Sequence, residues 1–470
     1  MTNAFDRRHS LQQEATKPIQ AASKTDLVYR LDDRPPVLES LFAAIQHLLA
    51  SFVGIVTPTL IIGNILGLES EVPYLISMAL LVSGIGTFIQ AYQPFGVGAG
   101  MLCIQGTSFA FLGAILSAGF TVKNRGGDTQ AVLSLIMSLC FVGACIQIAL
   151  SQVIPYLKRI VTPLVTGIVI TSIGISLIKV GMTDLAGGVN AADFGAPTNL
   201  MLGFFVIAVI VFLNTSKSPW LRLSSVIVGL LAGVLAALLI GHLSIANIEV
   251  TAGLAVPEPF RYGFSFELSA FIPLAVIFVI SSIETTGDLT ANCIISNQPI
   301  SGNGYIRRIR NGVLGDGINS MLAATLNSFP NTTFSQNTGV IQLTGIASRY
   351  VGMYVAGILV VMGAFQGIGG LLLSIPKPVL GGATLVMFGT VAVAGIKILA
   401  TEDIDRRKVI IIAVSFGLGL GLALVPEAFS KAPDLVQNIF SSAAATAGLS
   451  AIVLSLILPE KSGEVDEGQE

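Results

Sequence analysis

Charge is what this chain has least of. Of its 470 residues only 11% are Asp, Glu, Lys or Arg, against 53% apolar, and the mean hydropathy is +0.81. Soluble domains carry about 25% charged residues, because a charged surface keeps them in water. The scarcity therefore excludes a soluble globule, and the apolar excess excludes a disordered chain. The 25 Lys and Arg are balanced by 27 Asp and Glu. No bulk polycation is left to hold a phosphate backbone, which excludes a nucleic-acid binder. Cysteines number four, at 103, 140, 145 and 293, with no CxxC pair, and the three histidines (His9, His47, His242) are scattered. Neither a zinc site, any other metal centre nor a disulfide framework is indicated. The polar first 35 residues lack the short apolar core and small-residue cleavage site of a secretory signal. They are expected to be a retained cytoplasmic tail, and the acidic end from Lys461 to Glu470 a second one.

What the chain does have is 50 glycines inside apolar runs. Glycine is common in transmembrane helices, where it lets backbones approach closely. The reading is an all-α polytopic membrane protein. A bilayer core of roughly 30 Å needs about 20 apolar residues per helix. Apolar segments lie near 38–61, 73–93, 103–119, 130–154, 160–180, 198–215 and 222–245, then near 269–292, 308–328, 335–346, 350–374, 377–397, 408–425 and 435–458. That predicts fourteen spans, seven on each side of a connection at 246–268. With both ends in the cytoplasm, nineteen of the 25 Lys and Arg fall on inner segments and six on outer ones. That asymmetry obeys the positive-inside rule and leaves no basic residue at the membrane centre.

Seven spans repeated must return as an inverted copy. Pro163, Gly167 and Gly174 open the fifth span, and Pro378, Gly382 and Gly389 open the twelfth with the same spacing. Gln105-Gly106-Thr107 in the third span parallels Gln336-Asn337-Thr338 in the tenth, and both spans are short or polar. Inverted repeats with broken elements at matching places are the secondary-transporter pattern, in which free backbone groups meet near the midplane to bind substrate.

Carboxylates at mid-membrane cost roughly 2.5–3.5 kcal/mol on insertion scales. Three are present: Glu284 and Asp288, four apart and so on one helical face, and Asp316 between two glycines. With no intramembrane Lys or Arg to neutralise them, they must be protonated, hydrogen-bonded, or matched by a cation that comes and goes, as a symporter requires. Asp288 suits either coupling or tethering of the broken elements. Asp316 suits either binding or the holding of the tenth-span loop, and His47 suits either helix packing or proton relay. The segment Ser328 to Gly345, SFPNTTFSQNTGVIQLTG, is the most informative. Gln336 offers an acceptor and two donor hydrogens, Glu284 offers acceptors for ring N–H groups, and Phe109 offers a flat stacking surface. An amide, a carboxylate and an aromatic plane describe a nucleobase-shaped site better than an ion filter, with a polar helix-packing patch as the alternative.

These residues resemble the nucleobase–ascorbate transporter family. Its tenth-span signature is Gln, Glu or Pro, then Asn-x-Gly-x-x-x-x-Thr, then Arg, Lys or Gly. Here it reads Gln336-Asn337-Thr338-Gly339-Val340-Ile341-Gln342-Leu343-Thr344-Gly345. The family's first-span Gln-His pair is matched by Gln46-His47, its eighth-span Glu-x-x-Gly-Asp by Glu284 to Asp288, and its ninth-span Asp-Gly by Asp316-Gly317. The resemblance runs from about Asp33 to Pro459 and is strongest to the bacterial xanthine and uric acid branch, through DRPP, VTPLVTGIV and QNTGVIQLTGIASRYVG. It implies two inverted sevens. The core domain would be 37–154 (spans 1–4) with 269–375 (spans 8–11). The gate domain would be 155–245 (spans 5–7) with 376–458 (spans 12–14). Tails at 1–36 and 459–470, a periplasmic connection at 246–268, and short strands in the broken spans 3 and 10 complete the expected layout.

The resemblance further implies an inner-membrane homodimer that imports a purine by proton symport, its core moving as an elevator, with membrane lipids around it and no cofactor besides the coupling proton. Glu284 and Gln336 would bind the purine directly, Phe109 and Ser108 would flank it, and Asn337, Asp316, Asp288, His47, Thr344 and Gly345 would support or couple. Gln at 336 argues against a uracil permease and against an ascorbate carrier. Ser108 departs from the Asn of many bacterial xanthine-selective members and leaves room at the C8 edge, so uric acid is expected as a second substrate beside xanthine. Other open readings are a permease for another nucleobase, a purine-gated channel or transceptor, and an anion carrier of the same architecture. No nucleophile–base pair and no HExxH motif supports an intramembrane enzyme.

Overall fold

The computed structural model describes residues 27–458 apart from 154–161, 189–190, 244–252, 335, 401, 430, 433–435, 437–439 and 441. Residues 1–26 of the expected tail at 1–36, the expected tail at 459–470, part of the 246–268 connection, and Lys158 and Arg159 therefore lie outside the described residues.

The helices are α1 (Val37–Ile65), α2 (Val72–Tyr92), α3 (Leu112–Lys123), α4 (Thr129–Ser151), α5 (Pro163–Leu185), α6 (Pro197–Asn214) and α7 (Ser225–Leu239). They continue with α8 (Leu268–Ile295), α9 (Gly302–Thr325), α10 (Gln336–Thr344), α11 (Arg349–Gly363), α12 (Lys377–Leu399), α13 (Arg406–Leu424) and α14 (Ala443–Ile457). Among the described residues, eight of these are long and apolar enough to cross a membrane: α1, α2, α4, α5, α6, α8, α12 and α13. Shorter apolar helices fill much of the rest, including α7, α11 and α14. Local chemistry sets several starts. Asp128 Oδ1 accepts from Ala131 N at 2.8 Å to cap α4, Asp405 Oδ1 accepts from Lys408 N at 2.7 Å to cap α13, and proline stands at the first turn of α2, α5, α6 and α12.

At two places the chain runs as a short strand instead of helix. The third apolar segment begins as strand β1 (Gln105–Thr107), passes through a 3-10 turn at Phe109–Phe111 and becomes helical only at Leu112. Ahead of the tenth, strand β2 (Asn331–Thr333) pairs antiparallel with β1 in the register Gln105↔Thr333, Gly106↔Thr332 and Thr107↔Asn331. A broken backbone inside a membrane must find its hydrogen bonds within the protein. Beyond the strand pair, Ser108 N donates to Pro330 O at 2.9 Å, Phe334 N to Ile104 O at 2.9 Å, and Gln105 N to Thr87 Oγ1 at 3.0 Å. Gly106 must stay a glycine, since a Cβ there would run into the Phe334 ring and Ile55. The expected eleventh span, 350–374, is interrupted after Gly363, where Ala255 N donates to Ala364 O at 2.8 Å, and a short helix at Gly367–Leu373 follows.

Packing sorts the helices into two groups. In one, α2 lies on α11, α4 on α9 and α8, and α1 on α2 and α11. In the other, α5 lies on α12, α12 on α6, α6 on α7, and α13 and α14 on each other and on α5. Small residues allow the closest approach, as expected between helices in lipid. Gly174 leaves no room for a Cβ against the Ala392 backbone, and Gly395 is as tight against Thr171. The glycines matched in the sequence are not in matched surroundings: Gly167 faces Leu399 and Gly382 faces Gly203, whereas Gly389 has nothing within 4 Å of its missing side chain. At one end the loop before α8 is pinned by Arg125 to Glu267 at 2.8 Å and by Tyr262 OH to Glu71 at 2.6 Å. Burial and that bond to Glu71 push the Tyr262 phenol above its ordinary pKa.

Candidate functional site

The strand pair surrounds a single carboxylate. Asp316, on α9 and fully buried, accepts from Gln90 Nε2 at 2.6 Å, Gln105 Nε2 at 2.8 Å and Thr333 Oγ1 at 3.1 Å through Oδ1. Its Oδ2 accepts from Thr285 Oγ1 at 2.6 Å and Thr333 N at 3.2 Å. One side chain thus ties α2, β1, α8 and β2 to α9. Secondary contacts extend the set. Gln90 Nε2 also donates to Gly312 O at 2.8 Å, Asn319 Nδ2 donates to Gln105 Oε1 at 3.4 Å, and Thr285 and Thr332 hydroxyls lie 3.3 Å apart. Charge-assisted bonds in so dry a place are the strong kind. With every acceptor position used by the protein, Asp316 has no oxygen to spare for a ligand.

Glu284 and Asp288 stand differently. They share one face of α8 with Gly287, and this face is open: Gly287 is exposed, nothing lies within 4 Å of its missing Cβ, and both carboxylate residues are only half-buried. The opposite face, with Ser282, Leu289 and Cys293, is sealed at 0% exposure. Glu284 Oε2 is nevertheless buried and meets no hydrogen-bond partner. A buried acceptor left unmade costs about 1–3 kcal/mol, so its setting is that of a group waiting for a donor. Among the described residues, no group of three His, Cys, Asp or Glu is close enough to hold a metal ion.

Around this face the other expected residues divide. Ser108 is buried, 4% exposed, and its Oγ accepts from Ala110 N at 3.3 Å, capping the turn that presents Phe109. Phe109 is half-buried and meets Phe388 of α12 edge to face, with centroids 5.9 Å apart and planes at 84°. Asn337 Nδ2 donates to Leu102 O, which fastens the start of α10 to the chain leading into β1, while Asn337 Oδ1 is unpartnered. His47 is fully buried next to Asn337, and neither ring nitrogen meets a partner at hydrogen-bonding geometry. The side chain of Gln336, at the first residue of α10, lies outside the described residues.

Thr344 and Gly345 belong to another contact. Thr344 Oγ1 donates to Val340 O at 2.9 Å, and Gly345, at φ +69°, ends the helix. Gly345 O then accepts from Val28 N at 2.8 Å and Tyr29 N at 3.2 Å, and Ala347 N donates to Tyr29 O at 2.9 Å. Asp32 pairs with Arg349 at 2.8 Å, and Leu31 is buried against Met101, Cys293 and Ile309. This end of the signature holds the chain ahead of α1, away from the open face of α8. Gln90, Thr285 and Thr333 are site residues that sequence reading passed over. The available signal was a glutamine in the last turn of an otherwise apolar span, and a threonine beside Glu284.

Comparison with known proteins bears on this geometry. The Permease family profile (Xan_ur_permease) matches residues 38–428. The chain is 44% identical over 455 residues to xanthine permease XanP of Escherichia coli K12, covering 96% of this chain and 98% of that one. It is 42% identical over 439 residues to xanthine permease XanQ of the same organism, covering 93% and 94%. To the uric acid-xanthine permease of Emericella nidulans it is 32% identical over 486 residues, covering 93% and 84%. Among solved structures, the transmembrane domain of the cyanobacterial bicarbonate transporter BicA superposes with a TM-score of 0.57 at 17% identity, over 87% of this chain and 99% of that one. Murine Slc26a9, an anion transporter in its inward-facing state, superposes with a TM-score of 0.61 at 13% identity, over 95% and 74%. At such identities the likeness is one of fold alone.

Proposed function

Because the chain belongs to the nucleobase–ascorbate transporter family and is a multi-pass membrane protein rather than an enzyme, we propose that it is a proton-coupled symporter importing xanthine and uric acid. The observation that carries this reading is the free, buried Oε2 of Glu284 on the open face of α8. A purine N–H would satisfy it, and so would a proton, which is the dual competence a symporter's carboxylate needs. Phe109 supplies the stacking plane, the Asn337 end of α10 borders the site, and Gln336 is assigned the second polar edge of the purine by family resemblance. The relatives' names, xanthine permease and uric acid-xanthine permease, support the substrate class.

On this reading the fourteen segments are fourteen crossings in two inverted sevens. The two packed groups are a core (α1–α4 with α8–α11) and a gate (α5–α7 with α12–α14). The core carries the purine across as an elevator in an inner-membrane homodimer with both termini in the cytoplasm. Asp316 holds the core's broken elements together, and Asp288 and His47 assist coupling. An acidic, unpartnered group facing the opening disfavours an anion carrier, despite the shared fold.

Labelled xanthine uptake in cells lacking their own purine permeases tests this directly. Uptake is expected to be competed by urate more strongly than by uracil, guanine or hypoxanthine, to collapse with a protonophore, and to persist when sodium is replaced by choline. Strict sodium dependence at fixed pH would refute proton coupling, and no uptake of any purine would refute the substrate class.

A second expectation concerns selectivity. Urate differs from xanthine by an added oxygen at C8. Ser108→Asn keeps a side-chain acceptor for the turn at Ala110 but fills space beside Phe109. Overfilling costs about 1–3 kcal/mol, or roughly 5- to 150-fold in affinity. Xanthine uptake should stay within a few-fold while urate inhibition is lost. Equal urate inhibition constants in the two proteins would leave Ser108 as a turn-capping residue only.

A further inference from the structure

The chain between α7 and α8 is where the two halves of the sequence meet. Its stretch 253–267 forms no helix and no extended strand. Such connections are ordinarily the loosest part of a protein. This one is fastened every few residues. Ala255 N donates to Ala364 O at 2.8 Å and Gln366 N to Gly253 O at 3.3 Å, framing an antiparallel bridge between Leu254 and Phe365 just beyond α11. Glu258 N donates to the Tyr74 hydroxyl of α2 at 3.2 Å, and Glu258 O accepts from Asn327 Nδ2, just past α9, at 2.6 Å. Phe260, at φ +53°, donates its N–H to Thr325 O at 2.9 Å and sets its ring on Phe141 of α4, with 5.6 Å between centroids. The Arg261 guanidinium lies 4.5 Å from the centroid of the Tyr74 ring and 3.6 Å from Glu71. Ser265 N donates to Ser138 Oγ of α4 at 2.9 Å, and Glu267 pairs with Arg125 just past α3.

An exposed ion pair such as Arg125–Glu267 contributes little by itself. The destination of the anchors matters more. They reach α2, α4, the chain after α3, and the ends of α9 and α11, all in the group that holds Glu284 and Asp316. Among the described residues, no hydrogen bond or ion pair of 253–267 goes to α5–α7 or to α12–α14. We propose that this connection is a brace belonging to the core: when the two groups slide, it travels with the core as part of one body, and it is neither a hinge nor a lid. Tying α2, α4, α9 and α11 together at the start of α8, it keeps the helices that carry Glu284 and Asp316 at fixed spacing while the groups move. This rests on the sliding of core against gate proposed above, and it assigns to one of the two bodies a segment that hydropathy reads only as a linker.

Two engineered disulfides test it. Leu254 and Phe365 are both exposed and oppose each other between two ladder hydrogen bonds. In such a non-hydrogen-bonded pair the Cα atoms stand about 4.5 Å apart, inside the range a disulfide spans. Leu254→Cys with Phe365→Cys therefore ties the connection to the core. Gly113 on α3 and Ser442, the cap of α14, face each other across the two groups, and a Cβ at Gly113 would stand 3.8 Å from Ser442 Cβ. Gly113→Cys with Ser442→Cys therefore ties core to gate. Labelled xanthine uptake is measured before oxidation with copper phenanthroline, after it, and again after reduction. Closure of each bond is read from loss of thiol labelling, and the oxidised unmodified protein controls for Cys103, Cys140, Cys145 and Cys293. With the first bond closed, uptake is expected to stay within about twofold of the reduced protein. With the second closed it should fall about tenfold or more and recover on reduction, because a blocked conformational step limits turnover. Arrest by the first bond, reversed by reduction, overturns the brace. Ser138→Cys with Ser265→Cys, a second tie between connection and core, decides the matter where the first pair fails to fold. Undiminished uptake with the second bond closed would refute the sliding itself, and no xanthine uptake by the unmodified protein would refute the purine reading, so the three failures are distinguishable.

Discussion

Glu284→Gln should abolish concentrative xanthine uptake while leaving the protein in the membrane at its normal level. The substitution preserves shape, and it removes the possibility of charge from a buried oxygen that no protein group satisfies. Stability should therefore hold or improve, since a buried ionised group without a partner is costly. The function loses two things at once. A carboxylate that accepts from purine N–H groups becomes an amide with one accepting oxygen, and losing such a bond costs about 1–3 kcal/mol, roughly 5- to 150-fold in affinity. An amide also cannot exchange a proton, so any remaining transport should equilibrate rather than concentrate. Purine-dependent thermal stabilisation of detergent-purified protein measures the first loss, and accumulation ratio in cells measures the second. Wild-type accumulation in the variant would remove Glu284 from the mechanism.

Asp316→Leu should give the opposite signature, a protein that fails to accumulate in the membrane. Its carboxylate is the shared acceptor for Gln90, Gln105, Thr285 and two groups of Thr333, all buried. Removing it strands donors from four side chains and one backbone amide, each costing about 1–3 kcal/mol when left unmade. The sum rivals the about 5–15 kcal/mol by which a folded protein is stable. Asp316→Asn keeps one accepting oxygen but turns an amide N–H₂ towards donors, so it should fold with a clearly lowered Tm. Fluorescence-detected size exclusion and thermal melting of tagged protein check both variants. Unfolding temperatures equal to wild type in Asp316→Asn and normal yield of Asp316→Leu would show that the network does not hold the site.

The contrast between these two carboxylates marks where sequence reading stops. Both are acidic residues in apolar segments, and the cost of burying either is visible from composition alone. Sequence placed Glu284 and Asp288 on one face, because helical spacing is a local property, and the structure finds that face open at Gly287. It could not say that Asp316 turns the other way, into a shell of donors. The Gln90–Asp316 bond spans 226 positions and the Gln105–Asp316 bond 211, and no local periodicity encodes either.

The amino-acid sequence by itself determined the membrane class, the positions of the apolar segments and the interruption of the third, because hydropathy, glycine and polar residues act on their own neighbourhoods. It also singled out the signature from Gln336 to Gly345, but as one unit. The structure divides it, with Asn337 turned to Leu102 and the far end, Thr344 and Gly345, bound up with the chain from Val28 to Asp32. Likewise Phe109 was legible as a stacking surface, whereas Phe388, 279 residues later, was one apolar side chain among many until the packing of α12 on α5 set its ring across the other. Which face of each segment is buried, and which distant side chain answers it, was decided only when the helices packed, because burial and long-range hydrogen bonds are properties of the assembled molecule.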